Sequence, residues 1–222
     1  MRILVLDVGG THVKALATGR RTPIKIDSGP TLTPRQMVRS VTEATAAWSY
    51  DVVSIGYPGP VVRGRIATDP KNLGPGWRGF DFQRAFGKPV RILNDAAMQA
   101  LGSYRGGRML FLGFGTGLGT TLIVDGAIAP MELGHLYYRK GRSFEDYAGK
   151  AGLERLGKQK WRRHALEIIG RLSAAFLVDE VVVGGGNAKL LTELPRGVRV
   201  GGNDRAFAGG FSLWTEDRLR TR

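Results

Sequence analysis

An apolar run ends at Asp7-Val8-Gly9-Gly10-Thr11-His12-Val13-Lys14, and a second apolar run follows it to Ala17. Successive N–H groups in so glycine-rich a turn form a nest for phosphate oxygens, because no Cβ keeps the ligand away from the backbone. An aspartate closing a buried strand beside that nest, here Asp7, can hold a hydrated magnesium ion. The same residues would also serve a plain hairpin turn in which Asp and Thr satisfy their own backbone. A second glycine turn, Gly113-Phe114-Gly115-Thr116-Gly117-Leu118-Gly119, again lies between apolar segments. Two nests facing each other across a cleft can grip two parts of one phosphate chain, a task no structural turn requires.

Other residues could complete a phosphoryl-transfer site. Asn94-Asp95 stands at a strand-to-helix junction. Asp95 could cap that helix, or it could take the proton from a hydroxyl as its oxygen attacks phosphorus. Glu132 and His135 are three residues apart, so on a helical turn they share a face, and both side chains suit sugar hydroxyls. Gly184-Gly185-Gly186 follows the apolar run Val181-Val182-Val183. That turn admits either a bulky ligand or a closely packed neighbour.

These groups need a scaffold, and 222 residues provide for one large or two small domains with real cores. A 42% hydrophobic and 23% charged composition fits a soluble globular chain. No stretch approaches a membrane span, and the chain opens on a strand rather than a signal peptide, so the expected compartment is the cytoplasm. The absence of cysteine excludes disulfides, thiolate nucleophiles and cysteine-ligated metals. Three histidines, at 12, 135 and 164, leave little for a histidine-rich metal centre. Lysine and arginine total 33 against 19 acids, a net +14 that concentrates anions around the protein. No aromatic-rich module or helix-turn-helix accompanies the charge, so a specific nucleic-acid partner is not expected; a solvated basic surface is the alternative to a polyanion partner.

The spacing predicts strands around the first turn and a third over 22–28, making an antiparallel meander. Thr33-Pro34 caps and opens a helix to about Trp48. A buried strand over 52–56 ends in Tyr57-Pro58-Gly59-Pro60, a hairpin occupies 61–68, and loop fills 69–80. A strand over 90–93 and a helix from Asp95 to about Tyr104 follow. After a break at 103–108 the pattern starts again: strand 109–114, glycine turn, strand 120–124, short strand 127–130. Helices are expected over 144–151 and 162–176, a strand over 181–183, and a last helix over about 204–215. The repeat suggests two related α/β lobes facing each other, one made of residues 1–105 with the final segment of about 204–222, the other of 106–203.

In their order, Asp7-x-Gly9-Gly10-Thr11-x-x-Lys14, Asn94-Asp95-Ala96, Gly115-Thr116-Gly117-x-Gly119, Glu132-Leu133-Gly134-His135 and Gly184-Gly185-Gly186 resemble the motifs of the ROK family of sugar kinases, within the actin-like ATPase superfamily. The resemblance spans nearly the whole chain. It implies a two-lobed α/β fold of RNase H-like ancestry with the active site in the cleft. It further implies that Gly9, Gly10, Thr11, Lys14, Gly115, Thr116, Gly117, Gly184, Gly185 and Gly186 meet the phosphate donor. Asp7 would organise Mg²⁺ through water, and Asp95 would be the general base. Asn94, Asp95, Glu132, His135 and Glu145 would hold the sugar. Most relatives bind structural zinc through a cysteine cluster between the positions of His135 and Glu145. This chain has Tyr137-Tyr138-Arg139-Lys140-Gly141-Arg142 there, so no zinc is expected.

That zinc-less pattern, with Glu145-Asp146-Tyr147 and Gly157-Lys158-Gln159-Lys160-Trp161, resembles the polyphosphate glucokinase branch, whose members use inorganic polyphosphate and in some cases also ATP. Nine basic and three acidic residues lie between Arg139 and Arg163. Such a strip could steer a long phosphate chain into the cleft, with Lys158, Lys160, Arg162 and Arg163 as donor contacts, or be a solvated helix face. The expectation is therefore a kinase acting on the 6-hydroxyl of glucose or a similar hexose, with polyphosphate as main donor. Relatives typically form homodimers, and a homodimer is expected here. One rival is a strictly ATP-dependent ROK hexokinase with the Gly184–Gly186 turn against the nucleotide. Another is an RNase H-like nuclease with metals on Asp7 and Asp95. The family's repressor branch would need a DNA-binding domain ahead of the first strand.

Overall fold

A computed structural model describes residues 1–202 and 205–214. Its first sheet has the order β3-β2-β1-β4-β7. It is built from β1 (Ile3–Val8), β2 (His12–Ala17), β3 (Ile24–Asp27), β4 (Val52–Tyr57) and β7 (Val90–Asn94), with β5 (Val61–Val62) and β6 (Arg65–Ile66) as a separate hairpin. The second sheet runs β10-β9-β8-β13-β14, from β8 (Arg108–Phe114), β9 (Leu118–Val124), β10 (Ala127–Met131), β13 (Glu180–Gly184) and β14 (Val198–Val200). A small hairpin joins β11 (Tyr137–Arg139) to β12 (Arg142–Ser143). In each sheet an antiparallel meander of three strands continues through parallel partners.

The central strands read as unbroken apolar runs because both of their faces are buried. On β1, Leu4, Leu6 and Val8 enter a core with α1 (Pro34–Ala44), while Ile3 and Val5 turn to a second core containing Ala206 and Phe207 of α6 (Arg205–Ser212). On β8, Leu110, Leu112 and Phe114 pack with the long helix α5 (Lys150–Phe176), whereas Met109 and Phe111 face Ala96 and Ala100 of α3 (Asp95–Ser103). Strand alternation thus produces five layers: α1 with α2 (Phe82–Phe86), first sheet, α3 with α6, second sheet, and α4 (Phe144–Ala148) with α5. Asp7 has the parity of Ile3 and Val5, so it faces the middle layer.

Small residues make that middle layer thin. Any side chain on Gly102 would strike Arg205 and Gly209 of α6, and one on Gly209 would strike Met98 of α3. The Arg91 guanidinium stacks 4.3 Å over Trp214 and donates to the Leu213 carbonyl. Trp214 Nε1 donates to Ser54 Oγ at 2.9 Å, tying the end of this segment to β4.

Several elements differ from the sequence expectations. Helix α1 has the Thr33 cap but stops at Ala44 rather than near Trp48; the Thr45 hydroxyl turns back onto Val41 O (2.7 Å) and Trp48 N closes a turn on Thr45 O. The helices expected over 144–151 and 162–176 are instead α4 and a 27-residue α5 that starts at Lys150. Gly157, at φ 73°, breaks α5 without ending it. Helix α2 and strand β14 were not foreseen, being only five and three residues long. The last helix is described over Arg205–Ser212, and the rest of the expected 204–222 segment, apart from Leu213 and Trp214, lies outside the described residues. Among the described residues no helix is long and apolar enough to cross a membrane.

Candidate active site

Asp95 is the first residue of α3, the helix between the two sheets. The cap of that helix is Asn94, not Asp95: Asn94 Oδ1 accepts from Ala97 N at 3.2 Å, and Nδ2 donates to Gly59 O at 3.0 Å. The rigid turn after β4 therefore clamps the junction, and Asp95 is released from capping. Its Oδ1 accepts from the Ala96 amide beside it, at 2.7 Å. Part of the residue is exposed, but its carboxyl lies deep among protein atoms. Burial, then the neighbouring charges of Asp7 and Glu132, push its pKa up to about 7. Asp7 comes from the first sheet and Glu132 follows the second, so Asp95 is where groups of both sheets meet.

At the first turn, Asp7 pairs with Lys14 across the β1–β2 register, Nζ to Oδ2 at 3.4 Å. Gly9 N bonds to His12 O at 3.0 Å, Ser28 N to Thr11 O at 3.0 Å, and Ser28 Oγ to Gly9 O at 2.6 Å, so the turn is pinned while Gly10 and Thr11 stay exposed. Asn72 packs against Gly10, its Cβ 3.1 Å from where a Gly10 side chain would begin. The loop carrying Asn72 is held rigidly by buried Leu73 and Trp77 and by Asp69, which accepts from the amides of Gly76, Trp77 and Arg78. Its sequence had suggested only a loop.

The second turn, between β8 and β9, is held from three sides. Lys150 N donates to Thr116 O (3.1 Å), Asn187 N to Phe114 O (2.9 Å) and Asn187 Nδ2 to Gly115 O (3.2 Å). Gly185, at φ 81°, lies so near the Phe114 backbone that a Cβ would come within 2.5 Å of its carbonyl oxygen. The Gly184–Gly186 run is thus partly a packing device for the second turn. Gly115 and Gly186 alone among the glycines of these two turns from 115 to 117 and 184 to 186 face open space. At Gly117 the room for a side chain is filled by the Glu145 carboxylate, whose Oε2 accepts from Leu118 N at 3.0 Å.

Glu132 precedes a short 3₁₀ turn, Leu133–His135, whose backbone bond from His135 N to Glu132 O measures 3.1 Å. Side chains three apart nearly eclipse in such a turn, so Glu132 and His135, both exposed, lie on one side. Buried Gly134 packs against Leu118 and the Glu145 Cβ, joining this segment to the second turn. Glu145 itself lies in the first turn of α4, which a Ser143/Asp146 capping box starts.

Between His135 and Glu145 the chain forms the β11–β12 hairpin. Tyr138 is buried against Phe144, Tyr147 and His164, with its hydroxyl 2.9 Å from His164 Nδ1. Burial, and next the charge of Arg139, lower the His164 pKa. Arg139 and Arg171 each reach Glu167 at 2.7 Å. Among the described residues no three His, Asp or Glu side chains converge as metal ligands.

The basic strip is divided. Arg162 Nε donates to Leu190 O at 2.8 Å and is a structural tie, whereas Lys158, Lys160 and Arg163 are exposed, without a side-chain hydrogen bond or ion pair among the described residues. These residues stand on α5 around buried Trp161, which packs edge-on beneath Phe114 of the second turn with ring centroids 5.8 Å apart. Their side chains form no hydrogen bond to either glycine turn.

The polyphosphate glucokinase of Mycobacterium tuberculosis (strain ATCC 25618 / H37Rv) is 28% identical over 203 residues, covering 82% of this chain and 76% of that protein. The polyphosphate glucokinase of Mycobacterium leprae (strain TN) is 26% identical over 203 residues, covering 82% of this chain and 62% of that one. Among solved structures, the inorganic polyphosphate/ATP-glucomannokinase from Arthrobacter sp. strain KM superimposes with a TM-score of 0.81 at 22% identity, covering 96% of this chain and 97% of that chain. A ROK family glucokinase from Streptomyces griseus, in complex with glucose and AMPPNP, gives a TM-score of 0.76 at 20% identity, covering 96% and 99%. The fold is thus the two-lobed actin-like ATPase fold. Residues 3–141 match the ROK family, and the chain belongs to it.

Proposed function

We propose that the protein is a glucokinase that transfers a phosphoryl group from inorganic polyphosphate to the 6-hydroxyl of glucose, with Asp95 as general base. The observation that carries this reading is Asp95 itself: a carboxyl with its pKa raised to about 7, freed from capping, beside the second glycine turn and within electrostatic reach of Asp7 and Glu132. As the 6-oxygen attacks the terminal phosphorus, its proton passes to the Asp95 carboxylate, and the bond to the shortened polyphosphate breaks. The amides of Gly9, Gly10 and Thr11 and of Gly115, Thr116 and Gly117 receive the phosphates, with Lys14 adding positive charge. Mg²⁺, held by Asp7 through water, would neutralise phosphate charge when bound. Asn94, Glu132, His135 and Glu145 position the sugar.

The exposed cations Lys158, Lys160 and Arg163 support polyphosphate as donor; Arg162, tied to Leu190 O, contributes field rather than contact. The open Gly186 supports ATP as a second donor, since a nucleotide could approach the backbone there. We place the enzyme in the cytoplasm as a homodimer, which sedimentation of the purified protein checks. The deciding experiment measures glucose 6-phosphate formation with glucose and magnesium, offering long-chain polyphosphate and ATP separately. Turnover with polyphosphate is expected. Turnover with ATP alone keeps the kinase but removes the donor assignment, and no product with either overturns the reading.

A further inference from the structure

Glu145 touches both halves of the site, through its carboxylate on one side and its Cβ on the other. Its Oε2 accepts from the Leu118 amide at 3.0 Å and occupies the space beside Gly117 that a side chain would fill. Its Cβ packs on Gly134, between Glu132 and His135. The backbone after it is fixed to the same turn, with Gly149 N bonded to Glu145 O at 2.8 Å and Lys150 N to Thr116 O at 3.1 Å. A negative group therefore stands at the turn assigned above to the donor, while a neighbouring backbone segment carries the residues assigned to the acceptor.

We infer that Glu145 couples the two substrates: with the acceptor pocket empty its charge at Gly117 repels the phosphate chain, and a sugar hydroxyl donating to the carboxylate relieves that repulsion. The coupling rests on the kinase reading. Oε1, which has no hydrogen-bond partner among the described residues, is the oxygen available to the hydroxyl. A hydrogen bond from the sugar spreads the carboxylate charge and draws it from the turn, so sugar and polyphosphate each tighten the other's binding by the same factor. Polyphosphate without sugar is held weakly, which limits its transfer to water. The glycine at 117 is required by this carboxylate, not only by a phosphate. Glu145 is on this view a positioning residue that senses one substrate and admits the other.

The test uses 6-deoxyglucose, which fills the acceptor pocket but lacks the reacting hydroxyl, so binding can be measured without turnover. In the wild type, 6-deoxyglucose should tighten long-chain polyphosphate binding about tenfold. In Glu145→Gln, which keeps the shape without the charge, polyphosphate alone should bind more tightly than to the wild type, and the sugar effect should shrink towards one. The Leu118 amide resonance should shift when 6-deoxyglucose is added alone. Glucose phosphorylation by the wild type combined with a sugar effect of one, or an equal effect in Glu145→Gln, overturns the coupling and leaves the kinase standing. Absence of product from glucose with every donor overturns the kinase and the coupling together.

Discussion

A carboxyl with its pKa near 7, set by burial and by Asp7 and Glu132, is ionised only in part at neutral pH, which limits the general-base role proposed for it. The rate should therefore rise with pH: kcat/KM for glucose is expected to show an acid limb centred near pH 7, lost in Asp95→Asn along with a factor of about 10² to 10⁴ in kcat. Stability should move the other way. Because the folded pKa lies above the ordinary 3.8, Asp95 binds its proton more tightly in the native state. Its contribution is complete below about pH 4 and is lost as pH rises through 7. Asp95→Asn should thus raise Tm at pH 8 and leave it nearly unchanged at pH 4, as scanning calorimetry at both pH values would establish. The residue types of this site were legible in the sequence, since Asp7, Asp95, Glu132 and the glycine turns stand in recognisable order. What lay hidden was that Asn94 relieves Asp95 of capping and that a carboxylate fills the space at Gly117. The second depends on a partner distant in sequence, Glu145, and in the first the distant Gly59 carbonyl holds the Asn94 side chain whose Oδ1 caps the Ala97 amide.

At the scale of elements, the strip on α5 makes a claim that salt can test. If Lys158, Lys160 and Arg163 each neutralise a phosphate, replacing one by Ala should lower the slope of log affinity against log salt by about 0.7 and leave the KM for glucose alone. An unchanged slope would make the strip a solvated face. Arg162→Ala should instead reduce stability, because its guanidinium holds Leu190 O. The strands were readable because buried runs such as Ile3 to Val8 and Val181 to Val183 have no other use. The helices over 144–176 were harder, since glycines that usually end a helix here lie at a junction, Gly149, and at a kink, Gly157. Elements as short as α2 and β14 carry too few residues for a period to emerge.

For the whole molecule, the decisive contact is the crossing of α3 and α6. Gly209→Ala forces a methyl into the Met98 backbone, and overpacking of this kind should destabilise by about 1–3 kcal/mol, read from the denaturant midpoint. Sequence patterning suggested two repeated halves from the recurrence of strand, glycine turn and strand. It could not show how closely the two helices between the sheets approach, because that distance is set by the absence of side chains on both at once.

The chain passes between its two sheets twice, outward through α3 and back through α6. An N-terminal piece cut near residue 105 would leave Ile3, Val5 and Val52 without the cover that Ala206 and Phe207 supply, while the remaining piece would carry α6 with nothing to lie on. Neither fragment is complete, yet each holds what the other lacks. Severed at Arg105, the protein should behave as a split enzyme: two inactive polypeptides that recover activity when refolded together.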